Sequence, residues 1–285
     1  MDYFGFEGKT VVITGAASGM GEAAAKMLID LGAKVHAVGR NKPIQLPVEK
    51  TYYADLGDKD AIDQLLTELP DSIDALFACQ GMAQTKDNHL RVQLVNFLGV
   101  KYLVEALAPR VADNGSITII SSNGGFGWQE HYEISKEVID CGTWEKTVAW
   151  YEAHPDELKD AYRFTKRCLN TYVQYKVFDP LYIDRKIRLN VICPGNTITA
   201  LTDEFNRNTS PSGDAEEGRK KIEALFQKRW NGRWASAEEM GYPLVAIGSK
   251  MFSYMSGQVI FFDYGLTSVW AIEELEGIKD HFTPR

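Results

Sequence analysis

The 285-residue chain is poor in the features on which several classes of protein depend. Its four cysteines are scattered, with neither a Cys-x-x-Cys pair nor a His/Cys cluster, so we expect no disulfide framework and no metal site. Basic charge is not in excess. The net charge is −8 and the pI is about 5.3, which argues against nucleic acid or an anionic membrane surface as a partner.

Long hydrophobic runs are also missing. No apolar run is long enough to span a bilayer, and the N-terminus is acidic and aromatic, unlike a signal peptide. We therefore expect no membrane partner and a soluble, cytoplasmic protein. The chain also lacks linkers, repeats and low-complexity stretches, so we predict a single domain over residues 1–285.

What the chain does have is a glycine-rich turn near its start. Residues 11–21 read Val-Val-Ile-Thr-Gly-Ala-Ala-Ser-Gly-Met-Gly, and residues 22–31 are rich in helix formers. This pattern predicts a strand, a turn at Gly15, Gly19 and Gly21, and a helix. Glycines let a pyrophosphate approach the backbone, and the helix N-terminus offers unpaired N–H groups. The turn therefore indicates dinucleotide binding, with an ordinary strand-to-helix turn as the alternative.

Apolar strands alternate with helices along the rest of the chain. The predicted strands are 11–13, 34–38, 51–54, 73–79, 116–120, 187–192 and 258–262. The predicted helices are 22–31, 60–69, 89–107 and 161–178. This order favours an α/β fold with a doubly wound parallel sheet that is buried on both faces.

Two connections are too long for a minimal repeat of this kind. Residues 126–160 carry Trp128, Trp144, Trp150 and Tyr151, and residues 197–236 carry Phe205, Phe226, Trp230 and Trp234. Long connections within a compact fold are usually lids or binding loops. Their aromatic residues could supply an apolar wall for a substrate, but for most of them individually we expect a place in the core or in a subunit interface.

Tyr162 and Lys166 are four residues apart in a predicted helix and share a face. A phenol titrates near 10, and a nearby ammonium stabilises the phenolate and lowers its pKa. The pair could then exchange a proton with an alcohol or ketone oxygen. Taken alone, the spacing favours the alternative, a surface tyrosine beside a solvated lysine, because Tyr-x-x-x-Lys is common by chance.

The order of these motifs resembles the short-chain dehydrogenase/reductase family over residues 9–266. The residues that carry the resemblance are Thr14-Gly-Ala-Ala-Ser-Gly-Met-Gly21, Val95-Asn-Phe-Leu-Gly99, Ile120-Ser-Ser122, Tyr162-Arg-Phe-Thr-Lys166 and Pro194-Gly195. The resemblance implies a Rossmann-type sheet and an oxidoreductase that acts on a CH–OH group. Two motifs depart from the family pattern: Ala78-Cys-Gln-Gly81 replaces Asn-Asn-Ala-Gly, and Asp263-Tyr-Gly265 replaces Asp-Gly-Gly.

The resemblance also implies roles for single residues. Tyr162 would be the acid/base, and Lys166 would lower its pKa and bind the nicotinamide ribose. Ser122 would hydrogen-bond the substrate oxygen, whereas Ser121 would be structural. Asn96 would hold a water that relays protons to Lys166. The implied cofactor contacts are Gly15, Ser18, Gly19, Met20, Gly21, Gly39, Arg40, Asp55, Leu56, Cys79, Gly81, Tyr162, Lys166, Pro194, Gly195, Ile198 and Thr199.

The end of the second strand bears on the choice of cofactor. NAD-preferring members place an acid there that accepts from the ribose 2′-hydroxyl, but this chain has Gly39 followed by Arg40. Glycine leaves room for a 2′-phosphate, and Arg40 can pair with it. We expect NADP(H), with NAD(H) as the alternative if Arg40 only stacks on adenine.

The insertion before Tyr162 is similar to those of bacterial 3-hydroxysteroid dehydrogenases and coniferyl-alcohol dehydrogenases. This likeness implies a flat, apolar small-molecule substrate, with a hydroxysteroid such as a bile acid first and an aromatic or terpenoid alcohol second. It also implies a homo-oligomer, either a dimer or a tetramer. Other classes left open are a non-catalytic dinucleotide sensor and a family member with isomerase or dehydratase chemistry.

Overall fold

The computed structural model describes residues 2–224 and 232–275, and its centre is one parallel sheet. The strand order is β3-β2-β1-β4-β5-β6-β7. The bounds are β1 Thr10–Thr14, β2 Lys34–Gly39, β3 Lys50–Tyr53, β4 Ile73–Ala78, β5 Val111–Ile120, β6 Arg188–Pro194 and β7 Val259–Phe262. All neighbouring strands pair in parallel. The predicted doubly wound parallel sheet is confirmed, and its switch point lies between β1 and β4.

Helices flank this sheet. Their bounds are α1 Gly19–Asp30, α2 Lys59–Glu68, α3 His89–Gln93, α4 Gly99–Leu107, α5 Tyr132–Asp140, α6 Trp144–Ala153, α7 Ala161–Lys176, α8 Pro180–Asp184, α9 Thr202–Thr209, α10 Ala215–Ile222, α11 Ala237–Gly248 and α12 Leu266–Leu275. Among these described residues no helix combines the length and apolar character needed to cross a membrane.

Both faces of the sheet are buried because successive strand residues point to opposite sides. On one side Val12 and Leu76 pack with Leu103 of α4 and Leu169 of α7. On the other side a second cluster joins the alternate strand residues to α1 and α11. There the two helices approach so closely that a Cβ on Gly241 would lie 2.8 Å from the backbone nitrogen of Ala24.

The predicted helix over 89–107 is continuous but not uniform. Between α3 and α4, residues Leu94–Leu98 form a π-helical turn, with Asn96 at its centre. A π turn takes in one residue more than an α turn, and such turns are frequent at functional sites. The apolar periodicity of the sequence did not indicate it.

The long connection 126–160 is helical, as the family resemblance implied, and it packs onto the body of the protein. Trp144 meets Tyr102 of α4 edge to face, with ring centroids 5.6 Å apart. Trp150 stacks on Phe164 of α7 with centroids 6.0 Å apart, and Tyr151 is fully buried in the same cluster. These three aromatics therefore lie in the core, as we expect for most of the aromatic residues of the two connections, and not in a substrate wall.

The second long connection, 197–236, lies at the C-terminal edge of the sheet. Thr197 and Ala235 form a parallel bridge, so the two ends of the connection are held together beside β6. Between them α9 and α10 pack on each other. Phe226 and Trp230, named among its aromatic residues, lie outside the described residues.

Candidate active site

The glycine turn has the shape that phosphate binding requires. Gly15 has φ +67°, and a Cβ on it would lie 2.6 Å from the carbonyl oxygen of Cys79. A Cβ on Gly21 would lie 2.4 Å from the carbonyl oxygen of Gly15. Any side chain at either position would thus fill the turn or displace its backbone. Cys79 is consequently placed against the turn, and its contact with a cofactor stays a prediction.

The turn leads directly into the N-terminus of α1. Ser18 is the N-cap residue, and its hydroxyl makes no capping hydrogen bond within the described part of the chain. The first N–H groups of α1 and its dipole are therefore available to an anion, next to Met20 in the first turn. Thr199 lies over this turn, since a Cβ on Gly19 would be 3.3 Å from Thr199 Cβ. The residues fit a dinucleotide pyrophosphate.

Ser121 and Ser122 follow β5, and the structure separates their roles. The Ser121 hydroxyl donates to the carbonyl oxygen of Lys166 at 3.1 Å, which ties β5 to α7. The Ser122 hydroxyl accepts from the Gly124 N–H at 3.1 Å and lies at the edge of the cleft. Ser121 has the structural contact that the resemblance implied, and the contact of Ser122 with a substrate oxygen stays a prediction.

Tyr162 and Lys166 lie on the same side of α7, beside Ser122. The Lys166 ammonium is 5.5 Å from the centroid of the Tyr162 ring. The other side of the phenol faces the loop after β5, since a Cβ on Gly124 would lie 3.4 Å from Tyr162 Cε1. The structure thus brings the three predicted side chains together at the C-terminal edge of the sheet, where ligands bind in folds of this kind.

Burial shifts the pKa values of both members of this pair. It raises the pKa of Tyr162 above its usual value, although the Ser122 hydroxyl lowers it in part. It also lowers the pKa of Lys166 to about 8. Desolvation therefore opposes the phenolate in this site, and the lowering of the phenol pKa by Lys166 stays a prediction.

Asn96 is fully buried in the π turn, and its side chain is committed to the loop after β4. Its Oδ1 accepts from the Met82 N–H at 2.8 Å, and its Nδ2 donates to the Met82 carbonyl at 2.9 Å. A Cβ on Gly81 would lie 3.7 Å from Asn96 Oδ1 and 4.0 Å from Lys166 Nζ. Asn96, Gly81 and Lys166 therefore meet, and the proton relay through Asn96 stays a prediction.

The expected adenine end of the cleft holds a charge pair that sequence reasoning missed. Arg91 Nη2 donates to both carboxylate oxygens of Asp55, and Arg91 Nη1 donates to the carbonyl of Gly57 at 3.0 Å. Burial opposes ionisation of Asp55, but these bonds and the charges of Arg91 and Arg40 hold its pKa below the usual range. Leu56 beside it is buried in the core. Asp55 and Arg91 are 36 residues apart, and a contact over that distance leaves no local signal in the sequence.

The remaining predicted contacts lie after β2 and β6. A Cβ on Gly39 would make only ordinary contacts, 3.4 Å from Ile44 and 3.5 Å from Ala17, and Arg40 is exposed next to it. Pro194 ends β6, and Gly195 after it precedes Ile198, which is 62 % exposed. These residues follow the C-terminal ends of β2 and β6, and their contacts with a cofactor stay predictions.

Phe205 of α9, an aromatic residue of the second long connection, contacts Tyr162. Its ring meets Tyr162 edge to face, with centroids 5.0 Å apart. Trp234, by contrast, lies where the connection returns to β6. The N–H of the next residue, Ala235, donates to the Asn196 carbonyl at 2.9 Å. Within residues 2–224 and 232–275, no cluster of three His, Cys, Asp or Glu side chains is arranged to hold a metal ion.

Comparison with known proteins also indicates a short-chain dehydrogenase. The family model for short chain dehydrogenase matches residues 9–140. A coniferyl-alcohol dehydrogenase from a Pseudomonas strain is 34% identical over 197 residues, covering 69% of this chain and 76% of that protein. A 3beta-hydroxysteroid dehydrogenase from Mediterraneibacter gnavus is 26% identical, covering 92% and 96%.

Solved structures share the fold. The crystal structure of a 3-alpha-hydroxysteroid dehydrogenase from Pseudomonas, complexed with NADH, superposes with a TM-score of 0.71. It is 23% identical to this chain, and the match covers 95% of this chain and 99% of that one. At that identity the likeness concerns the architecture of the sheet and its helices.

Proposed function

This chain belongs to the short-chain dehydrogenase/reductase family and is an oxidoreductase acting on CH–OH groups, and from that premise we propose that it transfers a hydride between NADP(H) and a bulky apolar alcohol or ketone. Within that class a hydroxysteroid such as a bile acid is the first candidate, as a secondary alcohol or its ketone. The observation that carries the proposal is the meeting of Ser122, Tyr162 and Lys166 beside the glycine turn.

The side chains divide the work of the reaction. When bound, the nicotinamide supplies or accepts the hydride. In the reducing direction the Tyr162 hydroxyl gives its proton to the substrate oxygen, while the Ser122 hydroxyl donates a hydrogen bond to that oxygen. The Lys166 ammonium lies 5.5 Å from the ring and stabilises the phenolate that remains. Oxidation uses the same groups in reverse.

Support for an apolar substrate comes from the residues over Tyr162. Phe205 places its ring edge against the phenol, so a substrate that reaches Tyr162 must pass an aromatic side chain. Ile198, which is largely exposed near the end of β6, adds a second apolar side chain to the same edge. The match to a 3beta-hydroxysteroid dehydrogenase is in line with this proposal.

An aromatic alcohol of the coniferyl type is the second candidate. The observation that favours it is the 34% identity to a coniferyl-alcohol dehydrogenase, which exceeds the 26% identity to the hydroxysteroid enzyme. Both substrates are flat and apolar, and both would pass Phe205. They differ in size and in the carbon that is oxidised.

The substrate test is a screen that follows the absorbance of reduced nicotinamide with both coenzymes. The panel holds 3-, 7-, 12- and 17-hydroxysteroids, bile acids and cinnamyl-type alcohols. We expect the highest kcat/KM with a 3-hydroxysteroid. A higher value with cinnamyl alcohols replaces the first candidate by the second, and turnover of neither group overturns the proposed substrate class.

The coenzyme preference rests on Gly39 and Arg40, and it has its own test. Gly39→Asp adds a carboxylate where a Cβ makes only ordinary contacts, so the fold should tolerate it. We expect the wild type to prefer NADPH and Gly39→Asp to shift the preference toward NADH by about tenfold or more, since a carboxylate repels a 2′-phosphate. Gly39→Asn is the matched control for bulk without charge. A wild type that already prefers NADH contradicts the proposal.

We also propose that the protein is a homo-oligomer, since members of the family typically oligomerise. The insertion 126–160 covers part of α4 and α7 from within the same chain through Trp144 and Trp150. A second copy that docks on the α4 and α7 side of the molecule would therefore contact the insertion. Light scattering during size-exclusion chromatography measures the mass, and a monomer at micromolar concentration contradicts the proposal.

A further inference from the structure

The N-terminus of α7 is not capped by its own N-cap residue. Asp160 holds that position, but its side chain makes no capping bond within the described chain. Instead the Tyr162 N–H donates to Oε1 of Gln84 at 2.8 Å. This N–H is one of the four that a helix leaves unpaired at its start. The backbone of the catalytic tyrosine is therefore held by a side chain from the loop after β4.

The other end of the same amide binds a second element. Gln84 Nε2 donates to the carbonyl of Lys159 at 2.9 Å, at the end of the long insertion. Next to it a ring nitrogen of His89 lies 2.7 Å from the carbonyl of Leu158. The side chain needs both an acceptor and a donor here, which glutamine supplies and glutamate or leucine does not.

The main chain of Gln84 binds a third element. Its carbonyl oxygen accepts from Nδ2 of Asn208 on α9. Phe205 lies three residues earlier on the same helical face, and its ring contacts Tyr162. The helix over the active site is thus seated on the same residue that holds the tyrosine.

We propose that Gln84 is a positioning residue, which fixes Tyr162 relative to α9 and to the end of the insertion. The proposal rests on the proposed proton transfer by Tyr162. It adds that the proton donor is placed by an amide outside its own helix. Loss of Oε1 frees the first turn of α7, and the phenol then spends less time in line with the substrate oxygen.

The first experiment compares kcat and KM of Gln84→Ala and Gln84→Glu with the wild type on a substrate found by the screen. Gln84→Ala should lower kcat roughly five- to tenfold, the equivalent of one lost hydrogen bond, with coenzyme affinity unchanged. Gln84→Glu keeps an oxygen for the Tyr162 N–H and should recover part of kcat. Asn208→Ala should instead raise KM about threefold. Gln64→Ala, an exposed glutamine of α2, is the control.

A second readout does not depend on turnover. Amide hydrogen exchange of the peptide containing residues 161–165 should speed up roughly five- to tenfold in Gln84→Ala and stay close to wild type in Gln84→Glu. Equal exchange in all three proteins overturns the proposal even if no substrate is found. Equal kcat values in the alanine and glutamate variants also overturn the proposal. They would mean that the oxygen kept in Gln84→Glu does not matter to the reaction, as expected if Gln84 only stabilised the fold.

Discussion

The two long connections of this protein look alike in sequence and do different work. Both are rich in aromatic residues and both interrupt the alternation of strands and helices. The insertion 126–160 buries Tyr151 completely and stacks Trp150 on Phe164, so it belongs to the core. The connection 197–236 keeps Phe205 half-buried and sets it against Tyr162.

The difference lies in what each connection packs against. The first lies along α4 and α7, which offer a continuous apolar surface to cover. The second lies at the C-terminal edge of the sheet, where strand ends and loops leave a cleft. We therefore predict that Tyr151 of the first connection contributes to stability and Phe205 of the second to selectivity. The predictions below test that division, from the largest effect to the smallest.

The largest effect on activity is expected at Tyr162, on the helix between the two connections. Tyr162→Phe removes the proton that the reaction needs and should lower kcat by about 10²- to 10⁴-fold. Coenzyme affinity, followed by nucleotide fluorescence, should persist because the glycine turn is untouched. Turnover equal to that of the wild type would contradict the catalytic assignment of Tyr162.

Tyr151→Ala tests the core role of the insertion. Tyr151 is fully buried, so the cavity left behind should lower the free energy of unfolding by about 3–5 kcal/mol, measured by urea denaturation. KM for the substrate should not change. The matched control is Tyr151→Phe, because the Tyr151 hydroxyl has no hydrogen-bond partner among the described residues. It should leave stability unchanged or raise it slightly. A raised KM in Tyr151→Ala would place the insertion in the substrate site.

Lys166→Met tests the buried charge through the pH dependence of stability. The pKa of Lys166 is lowered from 10.5 to about 8 in the fold, so the unfolded chain binds the proton more tightly. Below pH 8 the charged lysine then lowers the free energy of unfolding by a few kcal/mol. This loss disappears as the pH rises from 8 to 10.5.

Lys166→Met should therefore be more stable than the wild type at pH 7, and the two should converge by about pH 10.5. Thermal unfolding of both proteins across this range measures the difference, and the comparison cancels the titration of the other buried groups. A gap that is constant with pH would mean that Lys166 is not desolvated as the structure has it.

Phe205→Ala is expected to have the smallest effect, confined to the substrate. Removal of the ring over Tyr162 should raise KM for a bulky apolar substrate about tenfold, as expected for the loss of one buried apolar side chain. The melting temperature should change little because Phe205 is only half-buried. Phe205→Leu keeps apolar bulk and should recover most of the affinity. A loss of stability like that of Tyr151→Ala, with KM unchanged, would erase the proposed difference between the connections.

Features that depend on local pattern could be predicted from the sequence. The strands follow from runs of β-branched residues and the phosphate turn from Gly15, Gly19 and Gly21, whereas Tyr162 and Lys166 stand out only through the order of the motifs that resembles the family. The doubly wound parallel sheet was confirmed, as was the family.

Features that depend on distant partners could not be predicted. Arg91 meets Asp55 and Gln84 meets Tyr162 only after the chain has folded, and a single sequence carries no mark of either contact. The burial of Tyr162 could not be predicted for a related reason, since spacing indicates a nearby ammonium but not the extent of burial. Composition likewise does not show which aromatic residues of the insertion lie in the core and which line a cleft.

The π turn at Leu94–Leu98 holds one residue more than an α-helical turn would, and that residue decides where Asn96 lies. Deleting a single residue there would let an ordinary α-helix run through, and the segments before and after it would keep their relative rotation, because the bulge takes up the extra residue locally. Asn96 would lose its place opposite Met82, whereas Arg91 would stay beside Asp55. The extra residue therefore sets the position of one buried amide without turning the helix on either side of it.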